Sequence, residues 1–167
     1  MRFSLAALLL SGALASAQVS YQDLLKPDPN NWLTYGGTYD SQRHSALTEM
    51  TKANVGSLQA AWIYPIPSTT RLQAVPIVVD GVMYVSAPNE VHAIDARSGR
   101  QIWQWRREPG INRGPNRGVA VLGNLVYVGT PDAYLVALDA RTGAEVWTAE
   151  VASSEEGYYS PAAPFAI

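Results

Sequence analysis

Apolar and polar positions follow one another in short blocks, and the blocks occur in copies. Val82–Val85 and Leu125–Val128 are apolar on both alternating faces, the pattern of strands covered on both sides. A shorter apolar block precedes each, at Pro76–Val79 and Gly118–Leu122. After a polar break come Ala93 and Ile94, or Ala137 and Leu138, and then an Asp-Ala-Arg-Ser/Thr-Gly turn at 95–99 and 139–143. Such a turn suits its residues: the Asp side chain accepts a backbone N–H two residues on, and Gly takes positive φ. A last strand, Arg100–Trp105 or Ala144–Ala149, carries a tryptophan.

The copies keep register. Asp95 to Asp139, Gly99 to Gly143 and Trp103 to Trp147 are each 44 positions apart, and Tyr84 to Tyr127 is 43. One residue is therefore inserted between the paired strands. Trp62, after Leu58, closes an earlier partial copy. A period in the low forties with strand-like content predicts an all-β fold, a β-propeller with one four-stranded blade per repeat. The blades fall at about 74–108 and 117–151, and a third begins at about Ser160. Each Trp is expected to lay its ring on a neighbouring blade and to donate its N–H to that blade's backbone. Residues 18–57 are polar and turn-rich, and predict an amino-terminal arm with short helical turns lying across the partial propeller of 58–167.

The first residues read as an address. Met1, Arg2 and Phe3 give a short positive start, Leu5–Ala15 is mostly apolar, and Ala15 and Ala17 flank a cleavage point before Gln18. This is the layout of a secretory signal peptide over 1–17. The apolar run falls short of the roughly 20 residues needed to span a bilayer, and no later stretch is long and apolar enough. Removing 17 of 167 residues leaves 150.

Composition narrows the chemistry. There is no cysteine, which excludes disulfides, thiolate metal sites, thiol nucleophiles, covalent haem attachment and lipoprotein anchoring. A cysteine-free exported chain fits a periplasm. Net charge is −2, so no basic surplus argues for a nucleic-acid partner. Four arginines, Arg106, Arg107, Arg113 and Arg117, nevertheless crowd into 12 residues. Guanidinium groups fit carboxylates through paired hydrogen bonds. Arg106 and Arg107 read more simply as a solvated loop, whereas Arg117 stands between a Gly-Pro turn and an apolar strand. His44 and His92 lack ligand spacing and read as structural. Asp95 and Asp139 read as turn residues, and Glu155 and Glu156 as a solvated loop.

Trp32, Tyr35, Gly36 and Gly37, then Arg43–Leu47, then Asn54, Val55, Leu58 and Trp62 resemble the amino-terminal signature of the quinoprotein alcohol dehydrogenases. The Ala-x-Asp-x-x-Ser/Thr-Gly-x-x-x-Trp copies resemble that family's blade-docking motif. The resemblance covers essentially all of 30–167. It implies an eight-bladed periplasmic propeller that uses pyrroloquinoline quinone (PQQ) with a calcium ion. Its substrate is an alcohol or a sugar-type CH–OH group, and its electrons go to a periplasmic cytochrome c or a quinone acceptor. Eight blades of this period need roughly 350 residues, so the chain is expected to be the front of a larger protein, and poorly soluble or partly folded alone.

The resemblance also assigns site residues. Gln73 stands where the family has a glutamate that contacts the quinone. Asn116, Arg117 and Gly118 match an Asn-Arg-Gly whose arginine reaches the quinone oxygens. Ser160 and Pro161 fall where a Thr or Ser contacts the cofactor. Ile111 and Asn112 fall where alcohol-oxidising members often carry two adjacent cysteines. The family's calcium-binding Glu and Asn and its catalytic Asp would lie beyond Ile167. Gln73, Pro161 and the missing cysteine pair favour a second reading, a cofactor-less periplasmic propeller acting as a binding or scaffold module.

Overall fold

A computed structural model describes residues 18–67, 72–108 and 114–167. The signal-peptide segment, Arg113 and the Ile111–Asn112 position lie outside the described residues. Eight strands form two separate four-stranded antiparallel sheets. The first holds β1 (Ile77–Val79), β2 (Val82–Ala87), β3 (Glu90–Asp95) and β4 (Gln101–Arg106). The second holds β5 (Ala120–Leu122), β6 (Leu125–Gly129), β7 (Tyr134–Asp139) and β8 (Glu145–Glu150). Within each sheet spatial order equals chain order, so every connection is a hairpin. These are the two propeller blades expected from the repeat.

The registers locate the inserted residue. Tyr84 pairs with Ala93 in the first blade and Tyr127 with Ala137 in the second, so the extra residue sits in the β6–β7 turn. Both blades share an irregularity that the repeat did not announce. Ala93 pairs with Trp103 but Ile94 with Gln101, and likewise Ala137 with Trp147 but Leu138 with Glu145. One residue, Ile102 or Val146, is thereby left out of the ladder as a bulge, and both are exposed.

Docking between units follows the tryptophans. Trp62 Nε1 donates to Ala96 O of the first blade at 3.1 Å, and Trp103 Nε1 to Ala140 O of the second at 2.9 Å. Each ring lies on the turn glycine three residues beyond its acceptor. A Cβ on Gly99 would come within 2.7 Å of the Trp62 ring, and one on Gly143 within 2.6 Å of Trp103. Both glycines also have positive φ, so the position needs glycine twice over. Tyr84, fully buried beside Trp103, adds an O–H donor to the same Ala140 carbonyl at 3.1 Å. Burial pushes its hydroxyl up to about 12, with Asp139 and Asp80 adding to the shift.

The carboxylates of the two turns are structural. Asp95 Oδ1 accepts from the N–H groups of Arg97 and Ser98 and from Ser98 Oγ, and Asp139 does the same with Arg141 and Thr142. These bonds, led by those from Ser98 and from the Thr142 side chain, hold both carboxyls below their ordinary value.

The arm bridges β1 of the first blade and the β5–β6 turn of the second. Val19 bridges Gly123, and Trp32 exchanges two backbone hydrogen bonds with Val78 at 2.9 Å each. A one-turn helix α1 (Tyr21–Leu25) is closed by a capping box in which Ser20 and Asp23 bond each other's backbone N–H. It buries Leu24, which joins Val19, Leu33, Val119 and Val121 in the core. Residues 40–61 are exposed throughout, so only the first half of the arm packs. Residues 160–167, expected to open a third blade, carry no strand. A strand is defined by its ladder, and Ser160 and Pro161 make single backbone bonds to Thr130 and Arg117 instead. No helix among the described residues is long and apolar enough to cross a membrane.

Candidate functional site

Three segments meet here, two of them just upstream of β1 and β5 and the third at Ser160 and Pro161. The Val75 N–H donates to Arg117 O at 3.2 Å, and the Arg117 N–H donates to Pro161 O at 3.0 Å. These two bonds link the stretches that carry Gln73, Arg117 and Ser160, about 44 residues apart in the chain, into one backbone series. Gly118 permits the approach. A Cβ there would lie 3.3 Å from Val75 O, and its φ of +143° is open chiefly to glycine. Gln73 and Arg117 are exposed and Ser160 is half-buried. An amide, a guanidinium and a hydroxyl thus stand on one rim, with solvent access to the first two.

The basic cluster divides when its partners are examined. Arg106 pairs with Glu90. Arg107 donates from Nε to Asp132 Oδ2 at 2.9 Å, and its guanidinium lies 4.4 Å from the centroid of the Tyr134 ring. Neither is the free loop cation expected from the sequence: Arg107 clasps the first blade to the β6–β7 turn of the second. Arg117 makes no ion pair among the described residues, which leaves its guanidinium available. Arg113 lies outside the described residues.

A second polar group lies under the same end of the first blade. Glu90 and His92, both buried in β3, bond each other at 3.1 Å. Tyr64 Oη reaches His92 Nδ1 at 3.0 Å and Gln101 Oε1 at 2.5 Å. Burial pushes His92 below the ordinary histidine range, against the opposing pull of Glu90. The group ties the segment after Trp62 to β3 and β4, in keeping with a structural His92. Alternation alone could have flagged it, because Glu90 and His92 are polar at consecutive same-face positions of a strand whose other residues up to Ile94 are apolar. His44 is exposed. Among the described residues no three His, Asp or Glu side chains gather as a metal site.

Asn116, which the resemblance matched without giving it a role, bonds to both blades beside Arg117. Asn116 is 2 % exposed. Its Oδ1 accepts from Ser86 Oγ at 2.5 Å and from the Gly118 N–H at 3.0 Å, and its Nδ2 donates to Gly129 O at 2.7 Å.

Comparison with known proteins places this geometry. Residues 32–146 match the family described as PQQ: glucose/ethanol/alcohol dehydrogenase, β-propeller domain. The chain belongs to that family. It is 40% identical over 141 residues to the quinohemoprotein alcohol dehydrogenase ADH-IIG of Pseudomonas putida, a match that covers 80% of the chain and 20% of the relative. It is 39% identical over 173 residues to the quinoprotein alcohol dehydrogenase PedH of Pseudomonas putida, covering 98% of the chain and 29% of PedH. The solved structure of ADHIIG from Pseudomonas putida HK5 superposes with a TM-score of 0.83 at 37% identity, over 90% of this chain and 24% of that one. The chain thus spans between a fifth and three-tenths of the length of these relatives.

The rim suits the family's cofactor. PQQ is a planar tricarboxylate with quinone oxygens, all hydrogen-bond acceptors. The joined stretches carry a guanidinium that makes no ion pair among the described residues, an amide and a hydroxyl, each able to donate. Gln73 in place of glutamate adds no anion next to those acceptors.

Proposed function

We propose that the chain forms the quinone-facing amino-terminal part of a PQQ-dependent dehydrogenase that oxidises an alcohol or sugar CH–OH group. The observation that carries this reading is Arg117, an exposed guanidinium that makes no ion pair among the described residues and whose backbone is bonded to the stretches that carry Gln73 and Ser160. The relatives named as quinoprotein and quinohemoprotein alcohol dehydrogenases support the reaction class. When bound, the quinone supplies the two-electron oxidising chemistry. In this reading the chain's own residues bind and orient it: Arg117 faces the quinone oxygens or a carboxylate, Gln73 donates an amide hydrogen, and Ser160 donates its hydroxyl. A calcium ion beside the quinone, a cytochrome c or quinone acceptor, export by the 1–17 segment and a periplasmic location complete the proposal.

The test is a titration of the full-length protein with PQQ, with and without calcium, followed by tryptophan fluorescence. Saturable quenching at micromolar cofactor is expected. Absence of quenching would overturn the enzyme reading and leave the cofactor-free binding or scaffold module, which Pro161 in the cofactor-contacting position also favours.

A further inference from the structure

We infer that Asn116 is a positioning residue that sets the placement of Arg117 and Ser160 together. The inference rests on the quinone reading for what those two residues contact, but its geometry stands in the chain itself. Asn116 is bracketed by both blades. Ser86, wholly buried in β2, donates to its Oδ1 from the first blade. Gly129, the last residue of β6, accepts from its Nδ2 in the second blade. The Gly118 N–H closes back onto the same Oδ1, so the backbone either side of Arg117 is pinned by one side chain. With two donors at the oxygen and one carbonyl at the nitrogen, only one orientation of the amide satisfies all three.

The bracket extends to Ser160 through Gly129. A Cβ on Gly129 would fall on Ser160 Oγ, with Ser160 Cβ at 3.1 Å. The bare Cα thus lets Ser160 approach, while the carbonyl of that same glycine holds Asn116. The Ser160 N–H bonds Thr130 O at 3.3 Å, and the Arg117 N–H bonds Pro161 O at 3.0 Å. Arg117 and Ser160 therefore share one frame, and Asn116 is its fixed point. Aspartate there would lose the donor to Gly129, and alanine would leave three buried groups without their partner.

Two measurements on the full chain decide this. In hydrogen exchange, Asn116→Ala is expected to speed exchange of the Arg117 and Gly118 amides at least tenfold, with β2–β3 amides unchanged. Ser86→Ala, a milder change, is expected to speed the same two amides by less. Unchanged protection at 117 and 118, or uniform acceleration across both sheets, overturns the inference, the latter because it marks a merely structural role. In the PQQ titration, Asn116→Ala is expected to weaken binding at least tenfold in the wild-type background and to have no further effect on Arg117→Ala. Equal losses in both backgrounds overturn it. A wild-type chain that binds no quinone overturns the functional reading, and the exchange data then decide the positional claim alone.

Discussion

Glycine occupies the blade turns for two separable reasons, a positive φ and a ring laid across it. Gly143 has φ +74° with Trp103 on its Cα, whereas Gly81 has φ +81° with nothing within 4 Å of where a Cβ would stand. Alanine at Gly81 is expected to cost about 1 kcal/mol from the backbone alone. At Gly143 it must also displace Trp103, and the expected cost rises to about 2–4 kcal/mol. Urea unfolding of the two variants checks the difference, and equal losses would contradict the docking account. His92 gives a second prediction at this scale. It is buried and bonded to Glu90 and Tyr64, with Gln101 bonded to the Tyr64 hydroxyl and Arg106 paired with Glu90. Its folded-state value is lowered, so the unfolded chain binds the proton more readily than the folded one. Its contribution to stability is therefore complete above the ordinary histidine value of 6.5 and is lost as pH falls below it. Melting temperatures between pH 5 and 7.5 should rise with pH in the wild type and rise less in His92→Gln.

At the scale of elements, identical sequence patterns have different surroundings. Trp103 and Trp147 occupy the same place in β4 and β8, beside Tyr84 and Tyr127 respectively. Trp103 is 7 % exposed and bonded to Ala140, while Trp147 is 39 % exposed. Trp103→Phe removes a buried N–H donor and part of a filled contact, an expected loss of about 1–3 kcal/mol. Trp147→Phe is expected to stay within about 0.5 kcal/mol of wild type. Denaturant midpoints of the two variants test this. Strands, turns and the docking of Trp103 on a neighbouring blade were legible because the repeat presents every element at least twice. The shared bulge at Ile102 and Val146 was not, because it changes pairing without changing which residue types recur. Among site residues, Arg117 could be singled out by its place before an apolar strand. Asn116 was matched only as Arg117's neighbour, and its role was not legible, because a buried bracket between blades depends on Ser86 and Gly129, which no spacing connects to it. The pairing of Arg106 and Arg107 was hidden for the same reason: their carboxylates lie 16 residues before and 25 residues after them in sequence.

For the whole molecule, the outer face of the second blade is the exposed counterpart of a buried interface. Leu122, Tyr127, Leu135 and Trp147, with Phe165 and Ile167, line an open groove of about 340 Å³. In the first blade the equivalent Tyr84 and Trp103 are covered by the Ala140–Gly143 turn of the second. An apolar groove of this kind favours association, and so do the exposed Leu47, Met50, Val55 and Leu58 of the arm. The isolated chain is expected to show concentration-dependent association in light scattering, and a monodisperse monomer with a cooperative melt would contradict this.

The central claim is that the segments carrying Gln73, Arg117 and Ser160 present side chains to one quinone, with Arg117 as the chief ionic contact. Calorimetric titration of PQQ into the full-length protein and into its Arg117→Ala variant tests it most directly. One site per chain is expected, weakened in the variant by about tenfold to a hundredfold, the worth of a charge-assisted hydrogen bond. Equal affinity in the two proteins, or no binding by either, would contradict the account.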